Sequence, residues 1–253
     1  MNDLLISLLV FAVIFGGALG GGAVRSLLSE RHLQPDSKDV VKMATGLIGT
    51  LAALVLGLLI ASAKSSFDQK TGQVRQITAK IILLDDLLAQ YGPEAIPVRT
   101  RLRQSIEPLA NGIWHDGGLP AGKPVRFEAS AESSAFENEL ENLMPTNDVQ
   151  RSLQSRAIAA FTEGAQTRLL LFTQGSGSIP TPFLIILVFW LGAIFVSFTL
   201  FAPTNPVVMA SLLVCALSFA GAIFLVLELD SPFTGLMGIS SSTVRNALPP
   251  LGS

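Results

Sequence analysis

Four stretches of the chain are nearly unbroken runs of apolar residues, at about 4–24, 43–63, 183–201 and 207–227. Each is close to the roughly 20 residues that carry a helix across a hydrocarbon core, so the pattern predicts four transmembrane helices. Between the second and third runs the pattern changes. Val74, Ile77, Ile81, Leu84 and Leu88 recur at three- and four-residue spacing, which predicts an amphipathic helix that continues the second run beyond the membrane. "YGPEAIP" at 91–97 breaks that stripe, and Val98, Leu102, Ile106 and Leu109 define the next helix, with Pro108 disturbing its end. "NGIWHDGGLPAGKP" at 111–124 predicts a loop by its Gly and Pro content. Phe136, Leu140 and Leu143 mark a short helix, and Val149, Leu153, Ala157 and Ala160 a longer one that reaches Phe172.

The expected architecture is therefore an all-α membrane protein in four parts. Residues 1–63 hold the first two crossings, 64–180 a helical domain outside the membrane, 181–228 the other two crossings, and 229–253 a short tail. Composition sharpens this picture. Only 14% of the 253 residues are charged, against about a quarter in a soluble domain, and the mean hydropathy is +0.53. The first run has no basic segment before it and is long for a signal peptide, so it is expected to stay as a membrane helix. Cys215 is alone in the fourth run and is expected to act as a small apolar side chain. Lys and Arg number 17 and Asp and Glu 19, a balance that gives no nucleic-acid signature.

Four crossings put both termini and 64–180 on one side, with the 25–42 loop and the "APTNP" turn at 202–206 on the other. Lys64, Lys70, Arg75, Arg168 and Arg245 flank the membrane on the first side, and Arg25, Arg31, Lys38 and Lys42 on the second. The positive-inside rule leaves the orientation open on such a count.

The chain lacks a phosphate-binding glycine loop, an H-E-x-x-H pair and a G-x-S-x-G elbow. Its two histidines, His32 and His115, fall on opposite sides of the membrane. Asp85 and Asp86 read as the solvated flank of their helix, and Trp114-His115-Asp116 as a weak candidate ligand contact. No enzymatic role, cofactor or metal is expected. Transport and scaffolding remain. With no charge between 183 and 227, a mid-membrane proton relay is not expected, and four short helices lack the repeats of a secondary transporter. A pore at a symmetry axis, lined by one helix from each subunit, requires less. The second run is the candidate lining: Gly46, Thr50, Ala53, Gly57 and Ala61 form a small-residue face, with Leu51, Leu54, Leu58 and Ile60 beside it. A small face serves close helix packing or sets the width of a pore, and spacing does not decide which face looks inward. The rival reading is a non-conducting scaffold or sensor whose domain at 64–180 binds a partner. At the end of the fourth run stand Glu228 and Asp230. Glu228 is expected to meet a basic residue such as Lys64 or Arg168, or to contribute to a cation-attracting ring; Asp230 or Ser231 is expected to cap a following short helix begun by Pro232.

Two stretches, "TGLIGTLAALVLGLLIASAKSSFDQKTGQV" and "FWLGAIFVSFTLFAPTNPVVMASLLVCALSFAGAIFLVLELDSPFTGLMGISSSTVRNAL", resemble the bacterial membrane proteins grouped as bestrophin-like. The resemblance is most specific at Ser65, Phe67 and Asp68, at Pro203 and Asn205, and from Glu228 to Arg245. It implies a distant likeness to bestrophins, which are pentameric anion channels with four membrane helices and cytosolic termini. By that likeness the chain is a multi-pass protein of the bacterial inner membrane, its termini and helical domain cytosolic. It forms a homo-oligomer, a tetramer or pentamer, with the second helix at the neck and Glu228 and Asp230 near the cytosolic mouth. Its partners are the lipid bilayer and inorganic ions. Pro232-Phe233 resembles the pair that precedes an acidic calcium-binding run in animal bestrophins. Residues 234–241 contain no carboxylate, so the resemblance does not extend to a calcium site, which needs six to eight oxygens.

Overall fold

Helix α1, Asp3–Leu27, is the first of eight α-helices in the computed structural model, which describes residues 3–27, 35–116, 131–173, 179–201 and 205–248. The others are α2 (Pro35–Tyr91), α3 (Ile96–Asp116), α4 (Ala131–Glu141), α5 (Asp148–Thr173), α6 (Thr181–Phe201), α7 (Pro206–Asp230) and α8 (Ser242–Arg245). No strand occurs among the described residues. Among the described residues, four helices are long and apolar enough to cross a membrane: α1, α2, α6 and α7. The chain divides into two compact units, Met1–Ser66 with Ser178–Asp230, and Phe67–Gly177 with Ser231–Ser253.

In the first unit α1 packs against α6 and α7. Val10, Ile14 and Ala18 recur every fourth residue and are buried, as are Leu187, Leu191 and Phe195 on α6 and Leu212, Ala216 and Ala220 on α7. Small residues bring the backbones together. A Cβ added at Gly21 would lie 2.7 Å from the Val196 carbonyl oxygen and overlap the Thr199 hydroxyl, so this crossing admits only glycine. Polar groups in these helices are satisfied locally, as a bilayer interior demands. Ser197 donates to the carbonyl of Ala193, Ser211 to that of Val207, and Ser218 to that of Val214, at 2.8 to 2.9 Å. Cys215 is exposed on α7.

Helix α2 is 57 residues long and belongs to both units. At 1.5 Å per residue it extends about 85 Å, nearly three times the hydrocarbon thickness of a bilayer. It starts at Pro35, eight residues before its apolar run, with proline at a first-turn position where no N–H is required. One stripe is buried along its length: Thr45, Ala52, Leu59 and Ala63, then Lys70, Val74, Ile77, Ile81, Leu84 and Leu88. The three- and four-residue rhythm thus runs on from the membrane segment without a break.

In the second unit this stripe enters two apolar clusters. Leu84, Leu87, Leu88 and Tyr91 pack with Val98 and Leu102 of α3, Phe136 and Leu140 of α4, and Leu153 and Ala157 of α5. Val74, Ile77 and Ile81 pack with Ile106, Ala110 and Ile113 of α3, Leu171 of α5, and Val244 of α8. The chain reverses between α2 and α3 at Gly92, whose φ of 122° suits glycine, followed by the short 3-10 turn Pro93–Ala95. Two features differ from the sequence expectation. Pro108 does not end α3, which runs to Asp116, because Ala110 and Ile113 extend its buried stripe while Pro108 faces outward. Val149 is exposed, and the buried stripe of α5 starts at Leu153. The rest of the anticipated loop, 117–124, lies outside the described residues, as do His32 and part of the 202–206 turn.

Candidate functional site: the open face of helix α2 and the docked tail

The expected lining residues all lie on the uncovered side of α2. Gly46, Thr50, Ala53, Gly57 and Ala61 are exposed in the single chain, and Leu51, Leu54 and Leu58 keep 52, 62 and 62% of their surface free. A Cβ built at Gly46, Gly49 or Gly57 meets nothing within 4 Å. This is the opposite of Gly21 on α1, whose missing side chain is already occupied by a neighbour. The Thr50 hydroxyl donates to the Leu47 carbonyl at 2.8 Å, so it is turned back onto its own helix. At about 100° per residue, the small residues Gly46, Ala53 and Gly57 lie on one flank of the open face and Leu51 and Leu58 on the other. Thr50, Leu54 and Ala61 fall between, roughly opposite the buried stripe. In the second unit Gly72 likewise has nothing within 4 Å, and Ile82 and Leu83 are 48 and 38% exposed.

Glu228 is 3% exposed and engaged within the chain. Asp3, at the start of α1, lies within electrostatic reach of Glu228 and Asp230; its separation of more than 200 residues hid it from a sequence reading. Among the described residues no three His, Cys, Asp or Glu side chains converge as a metal site would require.

Pro232 does not begin a helix. The chain makes a turn closed by Ile239 N–H donating to the Pro232 carbonyl at 2.7 Å, with Gly235 at a φ of 96° and Gly238 packed inside it. Four contacts hold this tail on α3. Trp114 meets Phe233 edge-on, with ring centroids 5.7 Å apart. Its indole N–H donates to the Ile239 carbonyl at 2.7 Å. Arg245 pairs with Glu107 and donates to the Asn111 amide oxygen at 2.7 Å. Trp114 is thus an internal anchor for the tail, where the sequence suggested a ligand contact; the side chain of His115 lies outside the described residues.

Asp85 also differs from expectation. It is 8% exposed and accepts bonds from Arg99 Nε at 3.1 Å, Arg99 NH2 at 2.9 Å and Arg103 NH2 at 3.0 Å. The hydrogen bond that Arg99 donates to Asp85 holds the guanidinium above its ordinary pKa, helped by the charges of Asp85 and Asp86 and opposed by burial. Asp86 is exposed and accepts from Gln90 at 2.9 Å. The two arginines lie 14 and 18 residues downstream, beyond the turn at Gly92, so only the reversal of the chain brings them to Asp85.

Four apolar helices, an all-helical second unit and a tail folded back on it define a multi-pass membrane protein of all-α architecture. Residues 12–244 match the bestrophin-like domain, and the chain belongs to the bestrophin-like family. No curated protein and no solved structure matches it.

Proposed function

We propose that the protein is a homo-oligomeric ion channel, with one α2 from each of four or five subunits around a central axis. The observation that carries this reading is the open face of α2, uncovered from Gly46 to Ala61 in a segment whose opposite side buries Thr45, Ala52, Leu59 and Ala63. In a bilayer, glycines gain most where another helix approaches closely. Thr50, Leu54 and Ala61 then face the axis, opposite the stripe each chain buries for itself, and the two flanks meet neighbouring copies. Such a lining gates by width and wetting rather than by charge. The burial of Glu228 in its own chain favours a structural role over a cation-attracting ring. Anion selectivity rests on the likeness to bestrophins, as do a bacterial inner-membrane location and cytosolic termini. The reading includes no catalysis.

The test is ion flux from liposomes holding the purified protein, with the oligomer's mass measured in the same preparation. Flux above that of empty liposomes, abolished by Ala61→Trp, is the expected result. An intact oligomer with no flux overturns conduction and favours the scaffold reading, in which the second unit serves a partner. Reversal potentials in a salt gradient then give the sign of the ion, and a shift on Glu228→Gln would restore Glu228 to the conduction path.

A further inference from the structure

The second unit contains a cavity that its two apolar clusters do not fill. Its volume is about 210 Å3, and it opens between α2, α3, α4 and α5. Ile81, Leu84, Ile106 and Phe136 line it and are buried, so its floor is apolar. The more exposed lining carries the charged groups, Lys80 on α2, Glu137 on α4 and Arg168 on α5, with Ser134 on α4 and the apolar Leu109, Phe161 and Ala165 beside them. Two cations and one carboxylate therefore line the opening. The Lys80 ammonium is bridged to Glu163, and the Arg168 guanidinium lies over the Phe172 ring, 5.6 Å from its centroid.

Protein interiors are normally packed as tightly as organic crystals, so an unfilled space of this size needs an occupant or a loss of dispersion contacts. An ordered water needs two to four polar partners, which Ile81, Leu84, Ile106 and Phe136 do not offer; the hydroxyls of Ser105, Ser133 and Thr162 lie elsewhere in the lining, so water is held there and not over the apolar floor. The space equals about seven times the share of one molecule in liquid water, room for an alkyl chain of about six to eight carbons. We propose that this cavity binds a short alkyl carboxylate. The chain lies against Leu84 and Phe136, and the head group meets Lys80 and Arg168, displacing Glu163 from the Lys80 ammonium. The assignment does not depend on conduction.

The experiment uses the full chain in lipid nanodiscs, titrated with alkyl carboxylates from butanoate to dodecanoate and followed by ligand-observed saturation-transfer NMR against empty nanodiscs. Affinity is expected to rise about fourfold per methylene and to stop rising near eight carbons, whereas partition into lipid continues to grow with chain length. Octanol and octylamine should bind about tenfold more weakly than octanoate. Ala165→Phe and, separately, Ser134→Phe, both at exposed positions of the mouth, should each weaken octanoate at least about tenfold by filling the space. Glu163→Gln should tighten it by up to about fivefold by releasing Lys80. Binding no stronger than to empty nanodiscs, no limit on chain length, equal binding of octanol, or indifference to both mouth substitutions would each overturn the proposal.

Discussion

Replacing Asp85 by Ala removes the acceptor of three charge-assisted hydrogen bonds and leaves two guanidinium groups facing one another. The magnitude follows from burial. Breaking a fully buried ion pair costs about 3–5 kcal/mol because an uncompensated charge remains inside. Here the side chains of Arg99 and Arg103 keep 21 and 16% of their surface, so water reaches them once the carboxylate is gone. About 2–4 kcal/mol is expected, or a fall of roughly 10 °C in the melting temperature of a unit of this size. Trp114 sits in the second unit and Trp190 in α6. A Trp190→Phe background therefore makes intrinsic fluorescence report on the helical unit alone, in the full chain in detergent. The neighbouring Asp86→Ala is the control: its carboxylate is exposed, and a loss under about 0.5 kcal/mol is expected. Equal effects at the two positions would refute the argument that the pair of arginines, rather than helix charge in general, gives Asp85 its weight. The sign of the pH dependence is also fixed. Since Arg99 has a raised pKa in the folded chain, its contribution is fully present below the ordinary arginine range. It is lost only at still higher pH, as the folded chain's own guanidinium titrates.

Gly21→Ala should destabilise the α1–α6 crossing by about 1–3 kcal/mol, read as earlier thermal aggregation in detergent. Gly20→Ala, where the added Cβ meets nothing within 4 Å, should be neutral. Trp114→Phe keeps the aromatic edge on Phe233 but loses the bond to Ile239, a loss of about 1 kcal/mol, so limited proteolysis should cut the 231–248 tail sooner. An unchanged cleavage rate would show that Arg245 and Val244 hold the tail by themselves. In a Cys215→Ser background, a polar thiol reagent should block flux through Leu54→Cys and spare Leu51→Cys; the reverse pattern would rotate the proposed lining by about 60°.

The apolar runs and the stripe from Val74 to Leu88 were legible because hydrophobic period and length translate directly into helix type. The same rule misled at two places. Asn111-Gly112 carries a loop composition, yet Ile113 has a place in a cluster built partly by Val244, more than 130 residues away, and tertiary burial outweighs local propensity. Asp85 looked solvated because its own helix supplies no partner; both arginines come from the following helix. Within the candidate site, the small face of α2 could be read from spacing. That it is uncovered could not, because covering depends on which side of the helix its own chain buries.

The reversal at Gly92 has a consequence for the order of folding. Asp85 meets Arg99 and Arg103 only 14 and 18 residues downstream, and Leu84, Leu88 and Tyr91 meet Val98 and Leu102 over similarly short separations. Contacts so near along the chain close short loops, which cost little entropy and form early. The α2–α3 hairpin of the second unit is therefore complete well before Val244 is in place to finish the second cluster.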